Sequence, residues 1–337
     1  MSRTALRRPV VVFMLLLTLL PAFGWSASAS EDESIPAEEI AAYAPPITRL
    51  LTNESVLRTR DYRHIPVEVP IYDAPNGTRI ATRPASDYWV SVERTVEGWA
   101  EINDGEWVPW GLFQRAPVSR LSGILLNAEA AYPVGWLRAI TLVSSAPGLD
   151  PDPTQAAALD RYRVVNIFAQ TTVDGAEWVQ VGVEQWVPAA NVAVVRPVAR
   201  PTAVDSERWV GVDLAQQVLI AYEGERAVFA ALISSGMAEL PTHPGIFRVF
   251  HRQRVQTLGW GSPGELYSYT VEDVPHILYF NGDQGLHAAY WHDDFGTPRS
   301  HGCVNLSLTD AAWVYDFLSA EINFDDRDDA WPMVVVY

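Results

Sequence analysis

The sequence contains no lysine; all 24 of its basic side chains are arginine. Lysine Schiff bases and Ser-x-x-Lys nucleophiles are therefore excluded. There is one cysteine, Cys303, so no disulfide can close within the chain, and the thiol is either buried and inert or reactive. Charge is sparse, at 19% of residues against 48% hydrophobic. That balance folds most of a chain whose 337 residues suit two or three domains. Positive charge is the scarcer sign, with a formal net charge of −17, and such acidity argues against nucleic acid as partner, because phosphate binding needs clustered cations. No apolar run reaches the roughly 20 residues of a membrane-spanning helix. The longest, Val10 to Leu20, follows Arg3, Arg7 and Arg8 and precedes Ala27-Ser28-Ala29. That order predicts a cleavable secretory signal over 1–29 and an exported chain peripheral to the membrane.

Residues 30–60 are acidic and proline-bearing, then mixed, and read as a lead-in with one short helix. A repeat follows. Trp99-Ala-Glu-Ile102 with Trp107-Val108-Pro109 matches Trp178-Val-Gln-Val181 with Trp186-Val187-Pro188. Each copy is preceded by a glycine-bearing turn, Glu97-Gly98 or Asp174-Gly175. Short alternating runs such as Val67 to Tyr72 and Tyr162 to Phe168 fit small antiparallel sheets. The two units, 61–116 and 117–195, resemble bacterial SH3-like barrels, with most of the tryptophans as barrel core. Residues 196–205 read as a proline-stiffened linker.

The segment 206–337 opens with strand-like runs at Trp209–Leu214, Gln217–Tyr222, Ala227–Ile233 and Gly245–Phe250, with a hairpin turn at Glu223-Gly224. Ser307 is placed to cap a helix to about Leu318, with Asp310 at the capping-box position. Trp331–Tyr337 closes the chain as a strand. The predicted fold is mainly β: two small SH3-like barrels, then a β-rich segment with at least one helix.

Four of the seven histidines lie between 276 and 301, just before Cys303. Nucleophilic thiol chemistry needs a thiolate, a base for its proton and donors for an oxyanion. Gly302 lets the backbone bend beside Cys303 so that successive N–H groups converge. A hairpin at Asn281-Gly282-Asp283 puts His287 on a strand with a pairing partner.

A histidine followed by Ser300-His301-Gly302-Cys303-Val304-Asn305 resembles the signature of the L,D-transpeptidase catalytic domain (YkuD type). Ile233-Ser-Ser-Gly236 and Pro241-Thr-His-Pro-Gly-Ile-Phe-Arg248 are similar to two further stretches of that family, and the resemblance covers about 206–337. It implies Cys303 as nucleophile, His287 as base oriented by the Ala288 carbonyl, and an oxyanion loop at His301, Gly302 and Cys303. Ser300, Asn305 and Arg299 are the expected substrate contacts, with Asn305 standing where many members carry Arg. The implied substrate is a peptidoglycan stem peptide at the cell envelope, and no cofactor is expected. His292 reads as a supporting or surface residue.

A papain-like endopeptidase usually places Cys before His, and sortases separate the two more widely. A non-catalytic wall-binding protein would not need an intact motif. A metal site at His287, His292 and Cys303 is disfavoured, because zinc ligands are usually spaced more tightly. The two repeats are expected to tether a catalytic segment that folds by itself from about Pro201.

Overall fold

The computed structural model describes residues 35–83, 87–152, 154, 156–262, 265, 268–320 and 331–337. The predicted signal at 1–29 lies outside the described residues. Two seven-stranded sheets organise the rest. In the first the order is Ile47–Arg49, Ile124–Leu126, Arg226–Leu232, Val218–Glu223, Arg208–Asp213, Met333–Val336, Gly245–Arg248. In the second it is Val304–Leu306, Gln284–Ala288, Tyr269–Asn281, Asp87–Val92, Asp61–Ile65, Gln114–Arg115, and His251–Trp260 also pairs with Tyr269–Asn281.

The central strands of the first sheet bury both faces, which is why their sequences are continuously apolar. Successive side chains point to opposite faces. Val210, Val212, Leu219 and Ala221 face a core completed by Leu278, Phe280 and Leu286 of the second sheet and by the helix Leu308–Ser319. Trp209, Val218, Ile220 and Tyr222 face the other way, onto Ile124, Val134, Trp136 and Ala193. Trp136 and Trp209 are fully buried, and truncating either to Ala should cost about 3–5 kcal/mol.

The helix begins where expected, with the Ser307 hydroxyl accepting from the Asp310 N–H at 3.1 Å. The other half of the capping box differs. The Asp310 carboxylate accepts from the Gly123 N–H at 2.7 Å instead, because the start of the second unit passes the start of the helix. The Asn53 N–H likewise donates to the Thr309 hydroxyl at 3.1 Å.

The tryptophan repeat is a repeat of register. In Trp99–Asn103 with Glu106–Pro109, Trp99 faces Pro109 and Glu101 faces Trp107. In Ala176–Gly182 with Gln185–Pro188, Trp178 faces Pro188 and Gln180 faces Trp186. Each hairpin follows a left-handed pair, Glu97-Gly98 or Asp174-Gly175, and each runs into a 3₁₀ turn, Trp110–Leu112 or Ala189–Asn191.

The segments expected to stand apart are joined to the segment after the linker. Asp87–Val92 of the first repeat pairs in parallel with Tyr269–Asn281, and Ile124–Leu126 pairs with Arg226–Leu232. The lead-in adds two short helices, Ala37–Ala42 and Glu54–Arg58, and the edge strand Ile47–Arg49. In the linker the Val198 N–H donates to the Tyr222 hydroxyl at 2.9 Å. Open strand edges exert a stronger pull than the linker composition suggests. Among the described residues no helix is long and apolar enough to cross a membrane.

Candidate active site

Gln284–Ala288 and Val304–Leu306 run in parallel, with Leu286 opposite Val304 and His287 opposite Asn305. The turn before the first of these strands places Gly282 at φ 56°, as a tight hairpin requires. Neighbours across a sheet share a face, so His287 and Asn305 point the same way, and Cys303 stands directly before the start of the second strand.

The loop before Cys303 is clamped from below. Arg299 and Ser300 N–H groups both donate to the Ser235 carbonyl, at 2.8 and 2.9 Å, and the Met237 N–H donates to the Ser300 carbonyl at 2.9 Å. The Thr242 hydroxyl donates to the Gly302 carbonyl at 2.8 Å and accepts from the Gly236 N–H at 2.9 Å. Both stretches singled out in the sequence, around 233–236 and 241–248, thus converge on this loop. Gly302 has φ 120°, a conformation that strains any other residue, and a Cβ there would lie 2.9 Å from the Gln284 amide nitrogen and displace it.

Cys303 itself is half-buried, while its sulfur sits deep enough that burial lifts the thiol to about 11. The Gly285 N–H acts against that shift, and the thiol donates weakly to the Asp283 carbonyl at 3.5 Å. His287 is buried, and burial lowers its pKa to about 4 against the opposing pull of the Ala288 carbonyl. That carbonyl lies 2.9 Å from Nδ1. At neutral pH both groups therefore rest uncharged.

Asn305 was expected at the substrate. Its side chain is instead buried between two imidazoles, Nδ2 3.3 Å from His287 Nε2 and Oδ1 3.1 Å from His292 Nε2. Ser300 is also turned inward, its hydroxyl donating to the Cys303 carbonyl and accepting from the Gly302 N–H at 3.1 Å. The Gly302 donor expected in an oxyanion loop is thus held by Ser300. Arg299 points outward and pairs with Asp294 at 3.0 Å, a solvated contact of small energetic weight. His301 lies under an aromatic rim, 4.7 Å from the Tyr269 ring and 6.1 Å from that of Trp260.

Of the two readings of His292, supporting or surface, the structure excludes the surface. The residue is buried, and burial lowers its pKa to about 4 despite the Asn305 hydrogen bond. Its spacing of five from His287 on a non-helical segment carries no periodic signal. Both histidines give Nε2 to Asn305, and among the described residues no group of three His, Cys, Asp or Glu side chains could hold a metal.

Residues 207–332 match the model of the YkuD family, the L,D-transpeptidase catalytic domain. A putative L,D-transpeptidase YciB of Bacillus subtilis is 27% identical over 123 residues, which cover 32% of this chain and 59% of that protein. Solved structures give similar matches. An L,D-transpeptidase from Stackebrandtia nassauensis is 28% identical, with a TM-score of 0.30 over 40% of this chain and 56% of its own. One from Mycobacterium smegmatis is 18% identical, with a TM-score of 0.34 over 52% of this chain and 90% of its own.

Proposed function

We propose that this protein is a cysteine acyltransferase of the bacterial cell envelope, an L,D-transpeptidase acting on peptidoglycan stem peptides. The observation that carries the reading is that Cys303 leads directly into the strand that pairs in parallel with the strand of His287, within the matched segment. His287 presents Nε2 without a proton, because Nδ1–H is donated to the Ala288 carbonyl.

In this reading His287 Nε2 takes the Cys303 proton as the sulfur attacks the carbonyl of the third stem residue. Backbone N–H groups of the loop at Cys303 receive the oxyanion, the Gly302 N–H being held by the Ser300 hydroxyl. His287 returns the proton to the departing amine of the terminal D-alanine, and a thioester remains on Cys303. An amine of a second stem then attacks the thioester and loses its proton to His287. Collapse expels the Cys303 thiolate, which His287 reprotonates, and the cross-link is complete. Water in place of the amine makes the reaction an L,D-carboxypeptidase cleavage. General base assistance of this kind contributes roughly 10²–10⁴-fold. Resting neutrality also suits an exported thiol, because oxidation proceeds through the thiolate.

A carbapenem tests the nucleophile. Thiolate attack on the strained lactam breaks its C–N bond, and the amine stays tethered, so the adduct persists in intact mass. The adduct is expected on the mature protein and absent from Cys303→Ala; an adduct that survives that substitution rejects the assignment. Muropeptide analysis of treated sacculi then reads the reaction, with D-alanine release and new cross-links expected.

A further inference from the structure

We propose that His292 is a positioning residue for His287, acting through the side-chain amide of Asn305. The proposal rests on the reading of His287 as the base, and it begins from hydrogen-bond polarity. At one end of the chain the Asp294 N–H donates to His292 Nδ1 at 3.2 Å. A backbone N–H can only donate, so His292 Nδ1 accepts and its proton lies on Nε2. That Nε2–H faces Asn305 Oδ1 at 3.1 Å. The Asn305 amide is thereby fixed with its NH₂ group toward His287, and Nδ2 donates to His287 Nε2 at 3.3 Å. At the other end the Ala288 carbonyl can only accept, so it takes the His287 Nδ1 proton at 2.9 Å.

Both ends are backbone groups whose polarity cannot change, and only one direction of the whole chain satisfies them. Every member is almost fully enclosed: His287, His292 and Asn305 are each 2% exposed. A reversed Asn305 would set its NH₂ against the His292 N–H and its oxygen against the His287 lone pair. Two mismatched pairs in a closed site would leave buried donors and acceptors without partners, which strongly disfavours that orientation. His292 thus decides which atom of Asn305 faces His287. That choice keeps the proton off Nε2 of His287, whose single lone pair rests on the Asn305 NH₂ group and must leave it to take the Cys303 proton.

The anchor is held as firmly as the chain. The Ser234 hydroxyl donates to the Asp294 carbonyl at 3.0 Å. Tyr162, from the second repeat, donates to the Asp293 carbonyl at 2.7 Å and accepts from the Phe295 N–H at 3.1 Å. The Asp294 N–H lies between those two grips. The charged or titratable groups acting on His292 are Arg299, Asp294 and His287.

The test compares His292→Phe with His292→Gln in the full-length protein. Gln can restore an N–H donor to Asn305 Oδ1, whereas Phe fills the space without one. For His292→Phe, kcat for acylation should fall on the order of 10- to 100-fold, as misplaced catalytic groups do. KM should hardly move. The acid limb of the pH profile should shift upward, because a freed Asn305 no longer opposes protonation of His287. His292→Gln should recover most of the rate. Imidazole ¹⁵N shifts read the tautomer without reference to activity: His287 should carry its proton on Nδ1 in the wild type and become mixed in His292→Phe. If the tautomer and pH profile are unchanged in a folded His292→Phe, the positioning role is overturned. A tautomer that changes as expected, in a protein whose His287→Ala variant still acylates at the wild-type rate, would instead overturn the base assignment and leave the hydrogen-bond chain standing.

Discussion

The two tryptophan repeats share a hairpin register but meet the catalytic segment in different ways. The first lends it backbone. Asp87–Val92 is hydrogen-bonded to Tyr269–Asn281, and the seam is lined by polar contacts. The Tyr88 hydroxyl donates to the Glu272 carboxylate at 2.6 Å, Asn103 donates to the same carboxylate at 3.1 Å, and Arg60 pairs with Asp273 at 3.0 Å. The second repeat keeps most of its strands to itself, in the sheets built on Val134–Leu137 and Ala176–Gly182. It reaches the site through side chains. Tyr162 grips 293 and 295, and Arg138 donates to the Gly296 carbonyl at 3.1 Å. Duplicate sequence patterns therefore do not imply duplicate roles: the hairpin-bearing part of one copy is joined to a sheet, whereas the other adds only the short strand Ile124–Leu126 and holds a loop beside the candidate base.

The largest expected effect tests whether the two copies together are structural. A fragment beginning near Pro201 loses the partners of both Tyr269–Asn281 and Arg226–Leu232. It should show no cooperative thermal transition and no carbapenem adduct. A sharp transition with full acylation would restore the picture of a tethered, independent domain.

Next in size is the seam at Asp310. Burial raises its carboxyl from the ordinary 3.8 to about 7, although the Gly123 N–H pulls the other way. A raised pKa means that the folded state holds the proton more tightly. Its contribution is therefore complete below about pH 4 and is lost as pH rises toward 7. Asp310→Asn keeps an acceptor for Gly123 without the charge. It should melt several degrees above the wild type at pH 8 and match it near pH 4. Equal melting points at pH 8 would mean that the charge is accommodated.

The finest test separates the copies by readout. Tyr88→Phe strands part of the Glu272 carboxylate and should lower stability by about 1–3 kcal/mol, with acylation per folded molecule unchanged. Tyr162→Phe should slow acylation several-fold with a smaller loss of stability. If both variants lose only stability, the distinction between sheet and loop is wrong.

Much of this was legible in the sequence. The runs at 209–214, 217–222 and 227–233 became strands because continuous β-branched and aromatic stretches suit a sheet buried on both faces. The Ser307 cap and the glycine turns were readable because they are local. The joining of the repeats to the catalytic sheets was not, since pairing between Asp87 and Tyr269 leaves no mark at either position. Asn305 and Ser300 were assigned to substrate because polar residues beside a nucleophile suggest contact. Burial, which sequence does not carry, turned both inward. His292 reads from the sequence as supporting or surface without a named partner, because that partner is an amide thirteen residues away, and polarity is read only once the bonds are known.

The strand Met333–Val336 lies inside the first sheet, parallel to Arg208–Asp213 on one side and antiparallel to Gly245–Arg248 on the other. Chains are made from the N-terminus, so both neighbours exist well before the strand that joins them. Until it arrives, each presents a bare hydrogen-bonding edge of apolar sequence, the kind of surface on which unfinished chains stick to one another. Closure across more than 80 residues is also slow by contact order. The apolar residues 333–336 therefore act as the fastener that ends the vulnerable interval in this protein's synthesis.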